Sequence, residues 1–116
     1  VKITRLYTGQ DNESYFEDVD IQLTDRGPVG RLSQPLAATG IIFRETGAGY
    51  DYGWHPAPAR QFVIMLEGEV DIEVADGTVR RFGPGDILLA EDTTGRGHCS
   101  RAVDGRPRKS VFVTLD

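Results

Sequence analysis

Turn-forming pairs cut this 116-residue chain at short intervals and leave no stretch with a helical stripe of useful length. Glu67-Gly68, Asp76-Gly77, Gly83-Pro84-Gly85, Gly95 to Gly97 and Asp104-Gly105 each separate short apolar or β-branched runs. Glycine, proline and aspartate supply the backbone angles that tight turns demand. Short runs recurring at intervals of roughly 8–12 residues predict an all-β sandwich or barrel. Val70-Asp71-Ile72-Glu73-Val74 alternates throughout, so one face belongs to a core and the other to water. Ala75 to Thr78 then closes a hairpin, because Asp76-Gly77 accepts positive φ. The predicted strands are Lys2–Leu6, Val19–Thr24, Thr39–Arg44, Tyr52–His55, Gln61–Glu67, Val70–Val74, Val79–Phe82, Asp86–Ala90, Gly97–Ala102 and Ser110–Leu115. Gln10 to Phe16 and Ser33 to Ala38 hold one helical turn each at most.

The length suits a single domain, residues 1–116, with its own core. An apolar content of 39 % is low for a globular chain but well clear of disorder. The net charge of −5 argues against nucleic acid, whose phosphates reward clustered Lys and Arg. The one basic cluster, Arg101 to Lys109, is diluted by Asp104 and reads as a solvated loop. Cys99 has no second cysteine to pair with, which points to a reducing cytoplasm. Alternation turns it away from the face of His98, so it reads as packing and not as a nucleophile. No apolar run approaches the ~20 residues of a membrane span, and no signal-like apolar region opens the sequence.

The chemistry-bearing residues are few. There are only two histidines, His55 and His98, each at the end of a glycine-led strand. Gln61, Val63 and Met65 share one face of the strand between them, and His98, Ser100 and Ala102 share another. If His55 points inward, two imidazoles and a carboxamide meet inside the barrel. Pro56 and Pro58 remove two backbone donors after His55 and prevent an ordinary interior strand there. From Thr39–Arg44 either Phe43 and Glu45 or Ile42 and Arg44 project inward, and a charged member so placed needs a partner. Tyr50, Tyr52 and Trp54 either line a pocket mouth or pack on an outer face. Arg60 faces away from Gln61 and suits a surface ion pair. No serine stands in a nucleophile-elbow context, and Gly83-Pro84-Gly85 has no helix after it to bind phosphate.

Gly49, His55 and Gly68, with Gly85 and His98, give the chain its resemblance to the cupin superfamily, of the small single-domain, conserved-barrel type. The family's first motif runs Gly, five residues, His, one, His, three or four, Glu, six, Gly; here Ala57 replaces the second His and Gln61 the Glu. In the second motif Glu91 stands for Pro and Thr93 for Gly, His98 comes two residues late, and Ala102 stands for Asn. The metal motif is degenerate. The resemblance implies a double-stranded β-helix, or jelly-roll barrel, and a homodimer for which Val1–Tyr7 is the nominated strand.

It also implies a metal site at His55, Gln61 and His98 within a pocket lined by Phe43, Val63, Met65 and Ser100. Glu91 or Asp92 is the substitute carboxylate, and Fe, Mn, Ni, Cu or Zn the class of ion. An amide brings no charge, so affinity falls. Two functions stay open: a metal-assisted oxygenase, isomerase or lyase on a small polar organic compound, and a metal-free metabolite-binding module. A third, a partner-docking barrel, rests only on the aromatic cluster.

Overall fold

Alternating residues become two sheets whose inner faces meet. The computed structural model describes every residue from Val1 to Asp116. Its strands are β1 (Lys2–Thr8), β2 (Ser14–Asp20), β3 (Thr24–Asp25), β4 (Arg31–Leu32), β5 (Gly40–Thr46) and β6 (Asp51–His55). They continue with β7 (Gln61–Glu67), β8 (Val70–Glu73), β9 (Val79–Phe82), β10 (Ile87–Ala90), β11 (His98–Ala102) and β12 (Arg108–Thr114). A single 3-10 turn at Gly27–Val29 is the one helical piece, and no helix is long and apolar enough to cross a membrane.

The largest sheet has six strands in the order β2-β1-β10-β7-β12-β5, the one facing it has four in the order β6-β11-β8-β9, and β3 and β4 pair as a separate two-stranded ribbon. Leu6, Met65, Val70, Ile72, Val74, Phe82 and Leu88 form the core. Leu6 has no exposed surface, and burying such a side chain contributes roughly 1.5–3 kcal/mol. The turn spacing predicts a sandwich or barrel, and the arrangement is the jelly-roll type that the family resemblance implies. β7 and β9 occupy the spans predicted for them.

Three expectations are corrected. The second strand is Ser14–Asp20, not Val19–Thr24, and Gln10–Phe16 holds no helical turn but the hairpin and the start of β2. Ser14 faces the interior because a distant carboxylate receives it, and such a position has no apolar signature. Val1–Tyr7 does not offer an open edge: β1 pairs in parallel with β10 and antiparallel with β2. The free edges of the large sheet are β2 and β5. Arg101 to Lys109 is not wholly a solvated loop either, since Arg108 opens β12 and is buried.

Two bulges set the faces. Between His98 and Ser100 of β11, β6 spends one residue more than its partner, at Gly53-Trp54. An extra residue reverses the alternation beyond it, so Tyr52 and His55, three apart, reach the same side. β7 likewise carries an extra residue, Leu66, opposite Lys109 and Ser110 of β12, and Leu66 is left exposed.

Candidate functional site

Opposed positions of β6 and β11 hold the two histidines, as the pairing His98↔His55 fixes. Their ring centroids lie 4.5 Å apart, and the Tyr52 ring stacks on His55 at 3.7 Å. His55 donates from Nδ1 to the carbonyl of Gly53, 2.6 Å away, a contact made available by the bulge. His98 donates from Nδ1 to Oδ2 of Asp92 at 2.7 Å. Both rings thereby spend Nδ1 on the scaffold, which leaves Nε2 for whatever enters between the sheets. Burial, together with the nearby His98 and Arg44, holds the His55 imidazole below its ordinary pKa, so it is neutral at pH 7.

The loop after β10 is what delivers Asp92. This carboxylate has no exposed surface and accepts from Ser14 Oγ as well as His98, while its Oδ1 has no partner. Its backbone oxygen receives the Ala57 amide at 2.9 Å, tying the loop to the segment after β6. Glu91 beside it turns the other way and bridges Arg5 and Arg60 at 2.6 and 2.7 Å. Burial alone would raise the Glu91 pKa, but hydrogen bonds from the two guanidinium groups outweigh it and bring it below the ordinary value. Gly97 lets the loop close: it has φ of +78°, and a Cβ there would lie 1.9 Å from the His55 carbonyl oxygen.

Between the sheets is a cavity of 240 Å³, reached by both histidines and by Gln61, Val63, Met65 and Ser100. Leu88, Phe82 and Phe112 add apolar wall. Phe43 is not part of it. That side chain is 77 % exposed, because β5 adopts the alternative alternation and sends Arg44 inward. Tyr50 and Tyr52 line the cavity, whereas Trp54 lies outside under Arg96, whose guanidinium sits 4.5 Å from the ring centre. Arg60 makes the surface ion pair expected of it, and Cys99 carries no disulfide. The sequence reading missed Arg44 as a settled member and Arg108 altogether. Stepping back by twos from Phe112 along β12 reaches both Ser110 and Arg108, the one available signal.

A divalent cation is poorly served here. No third His, Cys, Asp or Glu joins the two histidines in a group that could hold a metal. The nominated carboxylates do not line the cavity: Asp92 turns Oδ2 to Ser14 and His98 Nδ1, and Glu91 turns to Arg5 and Arg60. Two imidazoles and an amide bring no negative charge, and Arg44 and Arg108 add positive charge to the same walls. The donor set does not fit the ion that the sequence resemblance implied.

No family model matches the sequence, and no curated protein matches it. Solved structures do. The Cnp3 cupin domain of Schizosaccharomyces pombe superposes with a TM-score of 0.51 at 14 % identity, over 99 % of this chain and 84 % of that one. The fold is cupin-like. Protein NMB1881 from Neisseria meningitidis is also similar, with a TM-score of 0.53 at 21 % identity, over 66 % of this chain and 72 % of that chain. At these identities the likeness is one of fold, and the cupin barrel's contents here are this chain's own.

Proposed function

We propose that this cupin-like domain is a binding module that takes a small organic molecule between its sheets without a metal ion. The cavity carries the reading: a largely apolar chamber lined by two oriented imidazoles and a buried carboxamide. Such a site fixes a ligand's orientation with a few polar groups and holds it by apolar burial. Phenol, with one donor for an imidazole Nε2 and an apolar ring, is a suitable probe. Its binding to the purified protein, followed by ligand-observed NMR, should be unchanged by EDTA and abolished by Val63→Phe, which fills the chamber. Tight, stoichiometric Zn²⁺ or Mn²⁺ binding that disappears in His55→Ala and His98→Ala would instead favour the metal-assisted oxygenase, isomerase or lyase. Phenol binding that survives Val63→Phe in a folded protein would remove the cavity from the argument.

A homodimer is proposed on a different segment from the N-terminal strand. Every residue from Thr24 to Phe43 is exposed, including Val29, Leu32, Leu36, Ile41 and Ile42, and it runs into the free edge of β5. An apolar arm beside an unpaired edge invites a second copy. Its length is comparable to the roughly 20–30 residues that each partner gives to a standard interface. Light scattering should give twice the chain mass for the native protein and one chain mass for Ile42→Lys. A native monomer at about 100 μM, far above the dissociation constant of a specific interface, would dismiss the dimer. The unpaired Cys99 suits a reducing compartment such as the cytoplasm.

A further inference from the structure

Most of the arginines that touch the sheets have a carboxylate. Arg5, Arg60, Arg80, Arg81, Arg96 and Arg101 all form ion pairs. The two that face the cavity, Arg44 and Arg108, form none. Arg108 is 6 % exposed, and its Nε has no hydrogen-bond partner. A guanidinium cannot shed its proton inside a protein, so a buried one without an anion is costly.

The register of β5 and β12 places these charges side by side. Arg108 stands opposite Thr46, and Ser110 opposite Arg44. The hydroxyls of Thr46 and Ser110 are also buried without partners. Both guanidinium groups bear on the Tyr50 ring, at 5.0 Å for Arg44 and 4.9 Å for Arg108. Tyr50 itself hydrogen-bonds Ser100 at 2.7 Å, which links this wall to the strand of His98. Burial pushes the Tyr50 phenol up, but that hydrogen bond and the two cations outweigh it and leave its pKa below the ordinary value. Two cations meet one phenol ring and no carboxylate.

We infer that Arg108 and Arg44 form the seat for the carboxylate of a small organic acid whose apolar body fills the cavity. This rests on the cavity reading above and names the class of its ligand. A carboxylate matches the guanidinium fork and supplies the single negative charge that the wall lacks. Inorganic phosphate has no apolar body to fill this largely apolar lining. A 150 Å³ apolar cavity is known to hold benzene, so 240 Å³ suits an acid of about ten non-hydrogen atoms. The imidazole Nε2 atoms and Gln61 share the same lining and would meet the rest of the ligand.

Calorimetric titration of the 116-residue chain with benzoate, benzamide and inorganic phosphate tests the assignment. Benzoate should bind native protein about tenfold or more tighter than benzamide, and Arg108→Met or Arg44→Met should each remove about that factor. Phosphate should not compete. Ligand-free Arg108→Met should melt at or above the native temperature, because it replaces an uncompensated buried cation with an apolar side chain of similar length. A purely structural Arg108 would give the opposite shift. Should Arg108→Met not fold, Arg44→Met carries the binding test alone. Equal binding of benzamide, phosphate competition, or benzoate affinity untouched by both substitutions would each overturn the inference. If phenol binds and benzoate does not, only the acid assignment falls; if neither binds, the cavity reading falls with it.

Discussion

Gly97→Ala should destabilise the protein by about 4 kcal/mol or more, among the largest losses available to a single methyl group here. The left-handed backbone alone costs an alanine roughly 1–2 kcal/mol. The remainder is steric: the new Cβ would lie 1.9 Å from the His55 oxygen, 2.2 Å from its carbonyl carbon and 2.5 Å from Pro56 N. All three are backbone atoms, so no side chain can swing aside. The strand of His55 and the loop before His98 would have to part. Gly85 supplies the control, with φ of +88° and nothing within 4 Å of an added Cβ. Gly85→Ala should therefore lose only the conformational part. Urea unfolding of both variants measures the difference, and equal midpoints would show that the close approach at Gly97 is not a constraint.

Asp92→Ala should cost about 2–6 kcal/mol, at about 1–3 kcal/mol for each buried donor left unsatisfied. It strands two donors at once, Ser14 Oγ and His98 Nδ1, in a place with no access to water. Asp92→Asn keeps an acceptor oxygen and the shape, and should recover a large part of the loss. Denaturant unfolding gives the energies. Imidazole ¹⁵N spectra give the second readout: in Asp92→Ala the His98 ring should lose its fixed Nδ1–H tautomer, and in Asp92→Asn retain it. An alanine variant as stable as native protein would mean that this carboxylate does not organise the interior.

What could be read from the residues, and what could not, divides along one line. Strands with apolar residues on alternate positions, such as Val70–Glu73, announced themselves, and Asp76-Gly77 marked the turn between β8 and β9. The sequence brings His55 and His98 together only on the condition that His55 points inward, and their opposed register on β6 and β11 is visible in the fold alone. The inward polar positions stayed hidden. Ser14, Arg44, Thr46, Arg108 and Ser110 all face the interior, where alternation arguments look for apolar side chains. Hence alternation places the second strand too late, favours Phe43 over Arg44 for the pocket and leaves Arg108 in a loop. The bulge at Gly53 is also invisible to a two-residue period, although it decides that Tyr52 and His55 share a side. Asp92 was legible as a carboxylate near His98, but its attachment to Ser14, 78 residues earlier, was not.

The parallel pairing of β1 with β10 bears on how the chain is made. Leu6 emerges from the ribosome well before Ala90, the neighbour it aligns with far along the sequence. Until then the first hairpin has nothing to lie against, and its greasy side is open to chaperones or to wrong associations. Closing so distant a contact exacts its entropy before any reward, which places maturation toward the slower, millisecond-to-second end for small domains.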